Sequence, residues 1–329
     1  MKVLVTGGSG FIGSHYVRNA LSQKHAVLNV DVETYAASDP ALLERWFEGD
    51  YRHDKIDICD KDALQKAWLD FAPDCVVHFA AESHVDRSIK TPHDFVATNV
   101  LGTANLLAVG LDYWRSIKPD FRMIVVSTDE VFGSLGKTGH FNESSPYLPN
   151  SPYSASKAGS DHLARAYYQT YGFPVITTNC SNNFGPNQHK EKLIPTIIRH
   201  ALRGQNIPIY GNGQNVRDWI YVSDHVSALD MILAKGVIGE QYLIGGENEL
   251  NNIEIATKIL FKLKELHPSP NITKSEIEYV EDRLGHDFRY AVDTTKLQTQ
   301  LGWELQFSFN QALEDTLLWY VKNTDWALS

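Results

Sequence analysis

Short, almost wholly apolar runs punctuate the first half of the chain: KVLV at 2–5, AVLNV at 26–30, CVVHFA at 75–80, RMIVV at 122–126 and VITTN at 175–179. Each is too short for a typical helix and too evenly apolar for a strand with one wet face. Between them lie longer stretches with helical periodicity, among them 62–71, 92–116 and 152–171. Buried strands alternating with helices predict an α/β fold built on a doubly wound parallel sheet, covered on both faces.

After about residue 181 the pattern changes. The segments EKLIPTIIRHALRG, GQNVRDWIYVSDH, IEIATKILFKLKEL and FNQALEDTLLWYV read as short helices and irregular stretches. EQYLIGG, near 240–246, reads as a strand that returns to the main sheet. The expected organisation is therefore a first domain over 1–181 together with that strand, and a smaller, discontinuous α/β domain over 182–329. Gly- and Pro-bearing links around 133–152 and 182–190 are expected as loops over a cleft. No internal repeat or low-complexity tract appears.

Composition narrows the function classes. The 329 residues are 43% hydrophobic and 21% charged, enough apolar material for a large core. A formal net charge of −10 argues against nucleic acid or an anionic membrane as partner, since both need a summed positive field. Any anionic ligand must find individually placed cations. Cys59, Cys75 and Cys180 have neither CxxC nor metal-ligand spacing, so no disulfide framework and no metal site is expected, and the compartment should be reducing. No stretch approaches the ~18 apolar residues of a membrane span, and the N-terminus runs straight into a strand without a leader pattern. A cytoplasmic protein is the expectation.

The first strand runs directly into TGGSGFIGSHYV, which sets Gly7, Gly8, Gly10 and Gly13 in the turn that opens the first helix. Glycines there permit a tight turn, close approach of a pyrophosphate to backbone N–H groups, and close packing of helix on sheet. Asp31 closes the second strand near the ~20-residue spacing at which a carboxylate receives an adenosine ribose. It would repel a 2′-phosphate, so NAD is favoured over NADP. The pattern is that of a Rossmann dinucleotide site. Asp57 and Ile58, after the third strand, and Ala80 and Ala81 in AAESH, after the fourth, fall at strand carboxyl ends, where ligands of such sheets bind.

STDEVFG at 127–133 raises a sharper question, because a buried strand ends in a hydroxyl and two adjacent carboxylates, Thr128, Asp129 and Glu130. Either Thr128 caps a helix whose first turn holds two acids, or an acid and a base are needed side by side. Adjacent carboxylates push their pKa values apart, which leaves one protonated and one ionised. Further on, Ser151 is an expected N-cap and Pro152 a first helical residue, so Tyr153 and Lys157 lie one turn apart on one face. An ammonium beside a phenol favours the phenolate and lowers its pKa.

The glycine turn, Thr128 at the end of an intervening strand and the Tyr153–Lys157 pair together resemble the short-chain dehydrogenase/reductase superfamily, in its sugar-nucleotide-modifying branch. HFAAESHVDRSI, STDEVFG, SPYSASKAGSDHL, NCSNNFGPNQHKEKLIP, GNGQNVRDWIYVSDH and DRLGHDFRYAVD resemble, in order and over nearly the whole chain, the dTDP-glucose 4,6-dehydratases. The resemblance implies that Tyr153 takes the C4 hydroxyl proton while hydride leaves C4 for NAD, with Thr128 hydrogen-bonded to that hydroxyl. Glu130 then removes the C5 proton, Asp129 as a neutral acid protonates the departing C6 hydroxyl, and hydride returns to C6.

For the cofactor, the resemblance implies contacts from Gly7, Gly10, Phe11, Ile12, Gly13, Asp31, Thr34, Asp57, Ile58, Ala80, Ala81, Ser83, Thr98, Tyr153, Lys157 and Asn183. For a nucleoside-diphosphate sugar it implies Ser83 and Arg87 at the sugar, Asn182, Lys192, Leu193 and Asn252 as further contacts, and Pro208 to Tyr210 near the base. Arg217, Arg283 and His286 would hold the pyrophosphate, for which arginine's bidentate fork is suited. It also implies a homodimer in which the helices at 92–116 and 152–171 pair with a partner's in a four-helix bundle.

Phe132 stands where the family has Tyr, Leu284 where it has Pro, Lys190 where it has Pro, and TYAAS where it has TYAGN. None of these removes a reacting group, but they leave nucleobase and sugar preference open. Two other readings share the scaffold: a sugar-nucleotide 4-epimerase, which has no use for an acid and a base at 129 and 130, and a non-catalytic NAD or sugar-nucleotide sensor.

Overall fold

The evenly apolar runs take the centre of the molecule because parallel strands carry helices on both faces and have no wet side. The computed structural model describes residues 1–118 and 120–328. Its described strands are β1 (Lys2–Thr6), β2 (Ala26–Val30), β3 (Tyr51–Asp54), β4 (Cys75–His78), β5 (Arg122–Thr128), β6 (Val175–Cys180), β7 (Asn182–Phe184), β8 (Ile207–Tyr210), β9 (Val216–Tyr221), β10 (Gln241–Ile244), β11 (Glu249–Asn251) and β12 (Ile277–Val280). Seven form one parallel sheet in the order β10-β6-β5-β4-β1-β2-β3.

Successive side chains of a strand point to opposite faces, and the two cores divide accordingly. Val3, Val5, Val77, Ile124 and Ile176 pack on one side. Leu4, Leu28, Val76, Met123 and Val175 pack on the other. Strand order reverses beside β1, whose neighbours are β2 and β4, and that switch point opens the crevice where ligands of such sheets bind.

Two elements differ from the sequence expectation, and a third, expected before Asp57, gave no apolar run. The run GQNVRDWIYVSDH contains a strand, β9, rather than a helix or irregular segment; the buried charges Arg217 and Asp218 broke the apolar signal. Residues 182–184, expected within a loop, form β7, which pairs with β9, and β11 lies on the other side of β9. β8 and β12 pair separately. β3, Tyr-Arg-His-Asp, is a half-exposed edge strand and so never made an apolar run.

The helical segment Pro92–Ser116 is continuous over 25 residues, with a π-helical stretch at Val96–Gly102. It corrects the expectation that nothing in the chain approaches a membrane span, being long and apolar enough by length and composition. Half of its apolar window is buried inside the molecule, because small and branched residues on several of its faces pack onto the sheet and the neighbouring helix. That neighbour, Pro152–Tyr171, starts with a Ser151–Ser154 capping box and Pro152 in its first turn. It stops at Gly172, whose φ of 70° is the left-handed geometry glycine takes without strain.

Candidate active site

At the cofactor end the turn after β1 is built so tightly that side chains do not fit. Gly7 has φ of 74°, and a Cβ there would lie 2.5 Å from the Ala80 amide nitrogen; a methyl at Gly13 would strike the Gly7 carbonyl. Gly10 caps the helix Phe11–Ser22 without any side-chain hydrogen bond, and its first turn holds no acid, so the N–H groups around Phe11 and Ile12 stay available to an anion. Asp31 accepts the Ser9 amide on one oxygen at 2.9 Å and the Glu33 amide on the other at 2.7 Å, which leaves lone pairs on both. Burial raises its pKa, opposed by those amides. This cradle and carboxylate fit a dinucleotide's pyrophosphate and ribose.

The remaining cofactor positions behave unequally. Thr34 and Asp57 are exposed, Thr98 is half-buried on the long helix, and Ile58 is buried beneath Gly102. Ala80 and Ala81 form the loop after β4, which Asn99 fastens: its Oδ1 accepts the Glu82 amide at 2.9 Å, and its Nδ2 donates to the Glu82 carbonyl and the Ser156 hydroxyl. Asn183 needs correcting. Its side chain is turned inward, with Nδ2 donating to Cys180 Sγ and the Ser181 carbonyl and Oδ1 paired with His225, so its amide is already committed.

At the end of β5 the capping reading of Thr128 is met, and it does not exclude the other. Its hydroxyl does cap, accepting the Glu130 amide at 3.3 Å, but the element it caps is a single 3-10 turn, Asp129–Phe132. In so tight a turn successive side chains diverge by about 120°. Asp129 lies buried, 2% exposed, with Oδ1 accepting the Thr128 hydroxyl at 3.2 Å and Oδ2 without a partner. Burial, then repulsion from Glu130 and Asp218, pushes its carboxyl well above the usual range. Burial raises Glu130 too, but the cations of Arg283, Lys192 and Arg217 oppose that. Both adjacent acids are thus pushed upward, but unequally: Asp129 is driven well above the usual range, while the three cations hold back the rise at Glu130.

Tyr153 and Lys157 emerge from the capped first turns of their helix, both buried. The expectation that Lys157 lowers the phenol's pKa is corrected: burial first, then the charge of Glu130, push Tyr153 well above its ordinary value, opposed by a hydrogen bond with Thr128. The Lys157 ammonium instead donates to the Val126 carbonyl at 2.8 Å, and burial lowers its pKa. Chain contacts alone therefore keep the phenol protonated.

Of the expected substrate positions, Arg283, Lys192 and Arg217 face Glu130 from the second half of the chain. Lys192 donates to the Ser83 carbonyl at 3.0 Å, joining two loops across the cleft, and Leu193 follows it as the first residue of a helix. Arg283 Nε and Asn182 Oδ1 are buried without partners. His286 is held by Asp282 at 2.6 Å, and Tyr210 sits with its ring 6.3 Å from the His286 ring on β8, the strand that also holds Pro208. Asn252 opens a helix and donates its amide to the Asn215 carbonyl at 3.2 Å.

Two arginines are less free than their sequence suggested. Arg217 is spent largely on the backbone carbonyls of Val216, Asp287 and Phe288 and lies 4.3 Å from the centre of the Tyr290 ring. Arg87 pairs with Glu191 at 2.8 Å and stacks 3.5 Å from the centre of the Tyr35 ring. Sequence reasoning also passed over Asp161, buried one turn beyond Lys157; the i, i+4 spacing was the signal that could have found it. Among the described residues, no cluster of three or more His, Cys, Asp or Glu is placed to hold a metal ion.

The geometry has counterparts. A family model described as GDP-mannose 4,6 dehydratase matches residues 4–316. The dTDP-glucose 4,6-dehydratase of Xanthomonas campestris pv. campestris (strain B100) is 49% identical over 330 residues, covering 98% of this chain and 94% of that protein. A crystal structure of dTDP-glucose 4,6-dehydratase from Streptomyces venezuelae with NAD and TYD bound is 44% identical, with a TM-score of 0.90 over 99% of this chain and 98% of that one. UDP-glucose 4-epimerase from Thermotoga maritima, solved with UDP-glucose, is only 27% identical yet reaches a TM-score of 0.87 over 98% of this chain and 100% of that one. The backbone is common to both chemistries; the side chains at 129 and 130 are where a difference must be sought.

Proposed function

The chain belongs to the GDP-mannose 4,6 dehydratase family, and from that membership we propose that it is an NAD-dependent hydro-lyase converting dTDP-glucose to the 4-keto-6-deoxy sugar. The observation that carries the reading is the pair of buried Asp129 and half-buried Glu130 on a one-turn helix whose cap, Thr128, also meets the Tyr153 phenol. An epimerase would gain nothing from that pair. Bound NAD supplies a reversible hydride store, and the cradle around Gly7, Gly10 and Gly13 with Asp31 would hold it.

Thr128 orients the C4 hydroxyl, whose proton Tyr153 takes as its phenolate; chain contacts alone favour the phenol, so that phenolate belongs to the cofactor-loaded protein. Once C4 is a ketone, the neighbouring C5–H becomes acidic, and Glu130, whose burial-raised pKa Arg283 and Lys192 pull back down, removes that proton. Asp129 gives its retained proton to the C6 hydroxyl, which leaves as water. Protonated Glu130 exchanges its proton with solvent and then returns one to C5 as C6 is reduced. Arg283 and Lys192 supply local positive charge for the diphosphate on a chain whose net charge is −10, beside His286, whose ring burial and then Arg283 bias toward its neutral form.

Residues 1–181 with β10 are assigned to the cofactor and the rest to the nucleotide sugar, a division supported by the pairing of β10 with β6 and of β7 with β9. We propose a homodimer formed through the helices at 92–116 and 152–171; Val96 and Leu101, each 53% exposed, supply apolar surface for it. A cytoplasmic setting is supported by three free thiols. The function is tested by incubating the protein with dTDP-glucose, and separately UDP-glucose, in deuterated water and following products by NMR. A 4-keto-6-deoxy sugar deuterated at C5 is expected; a C4-inverted sugar that keeps its C6 oxygen would overturn the reading.

A further inference from the structure

Lys157 presents an unsolved problem of charge. Its ammonium is 3% exposed and donates to one backbone carbonyl, that of Val126. A buried ammonium without a counter-charge loses its proton. One turn along the same face of the helix lies Asp161, also 3% exposed. Its Oδ2 accepts the Tyr147 hydroxyl at 2.9 Å and the Asn179 amide at 3.0 Å, while Oδ1 has no hydrogen-bond partner.

The same Asn179 amide donates at 3.0 Å to the carbonyl of Thr128, the residue at the head of the reactive turn. Gln241, from β10, closes the ring by donating to the Tyr147 hydroxyl at 2.9 Å and to Asn179 Oδ1 at 2.6 Å. Behind this ring lies a cavity of about 270 Å³, lined by Tyr147, Asp161 and Gln241 and rimmed by the exposed side chains of His162 and Arg165. Asp161 is thus held between the reactive lysine on one side and a cavity away from the cofactor turn on the other.

We propose that Asp161 is a positioning residue for the reaction: it is the counter-charge that keeps Lys157 an ammonium, and through Asn179 it fixes the backbone of Thr128. This rests on the functional reading above. The groups facing it bear this out from each packed element. Lys157 lies on its own helix, Ser127 on β5, Asn179 on β6, Tyr147 on the preceding loop and Gln241 on β10. Of these, only Lys157 carries a positive charge. Toward Lys157 itself, Asp161 is the foremost influence opposing burial, followed by Cys180. Burial raises Asp161, and the lysine, Asn179, Ser127 and Tyr147 all work to keep it ionised.

The test compares the NAD-loaded wild type, Asp161→Asn and Tyr147→Phe. The Lys157 ammonium is titrated directly by 15N NMR of the side-chain nitrogen, and the pH profile of dTDP-glucose turnover is recorded on the same samples. In Asp161→Asn the Lys157 titration and the alkaline limb of the turnover profile should both move to lower pH by about 1 unit or more, as loss of a neighbouring opposite charge requires. Tyr147→Phe keeps the ring against Phe132 but removes a donor to Asp161, so it should move both in the same direction by less.

An unmoved Lys157 titration in both variants would overturn the inference, as would a loss of turnover equal at every pH. A shifted titration in a wild-type protein that does not dehydrate dTDP-glucose would support the inference and remove the functional reading instead. Should Asp161→Asn not fold, the Tyr147→Phe titration decides alone.

Discussion

Glu130 raises the pKa of Asp129, the residue it follows in the chain, and itself faces Arg283, Lys192 and Arg217. Two carboxyls joined by one peptide bond are therefore both raised by burial but to different extents, because only Glu130 has three cations opposing the rise. That inequality is what the proposed division into acid and base rests on.

Asp129→Asn should abolish the acid while relieving strain. A carboxyl raised in the folded chain holds a proton that the unfolded chain has lost, so folding takes up a proton. Stability then falls as pH rises from the ordinary carboxylate range toward the folded value. The asparagine variant lacks that slope, and its melting temperature at pH 8 should exceed that of wild type by about 1–3 °C. Its elimination rate should drop by about 10²–10⁴. Calorimetry at pH 5 and pH 8 with turnover measured in parallel checks both.

Glu130→Gln should stop the chain of events one step later than C4 oxidation. Turnover falls by about 10²–10⁴, yet transient absorbance of NADH should still appear on mixing with substrate. A variant with wild-type turnover would leave the C5 proton without its assigned base.

Tyr153 should be a phenol in the cofactor-free protein at neutral pH, since burial and Glu130 both raise it. The tyrosinate absorbance difference between wild type and Tyr153→Phe should stay flat up to about pH 10, the ordinary value. With NAD loaded, deprotonated Tyr153 becomes more populated as pH rises, so turnover should increase along the acidic limb. Tyr153→Phe should lose about 10²–10⁴ of turnover.

Arg283 and Arg217 should separate by experiment. Arg283 keeps an unpartnered Nε, so Arg283→Ala should raise the KM for the sugar nucleotide by about 10-fold or more, with little change in melting temperature. Arg217 is tied to three backbone carbonyls around the Tyr290 ring, so Arg217→Ala should lower the melting temperature as well. Equal melting temperatures for the two variants would contradict the distinction.

The central sheet was legible because five of its seven strands are unbroken apolar runs, and the glycine turn because its residues have to be small. The helix carrying Tyr153 and Lys157 announced its own start through Ser151 and Pro152. β7 and β9 were not legible, and β3 was expected before Asp57 without a run of its own to bound it. An edge strand buries little, a three-residue strand has no period to measure, and β9 conceals Arg217 and Asp218 inside the protein, where their partners come from residues 246–248 and 287–288.

Local pattern by itself determined the parallel α/β sheet and the tight glycine turn after β1, because each depends on neighbours a few residues away; the proposed reacting groups came from a resemblance carried along nearly the whole chain. Tertiary structure alone decided the electrostatic setting of those groups. Arg283 and Lys192 face Glu130 from segments distant in the chain, the sheet seals Lys157 and Asp161 from water although their helix alone sets them one turn apart, and the phenol of Tyr153 is kept neutral by burial that no stretch of seven residues can encode. Spacing along the chain specifies which groups are present, whereas desolvation and through-space charge, which set their protonation, exist only after the chain has closed around them.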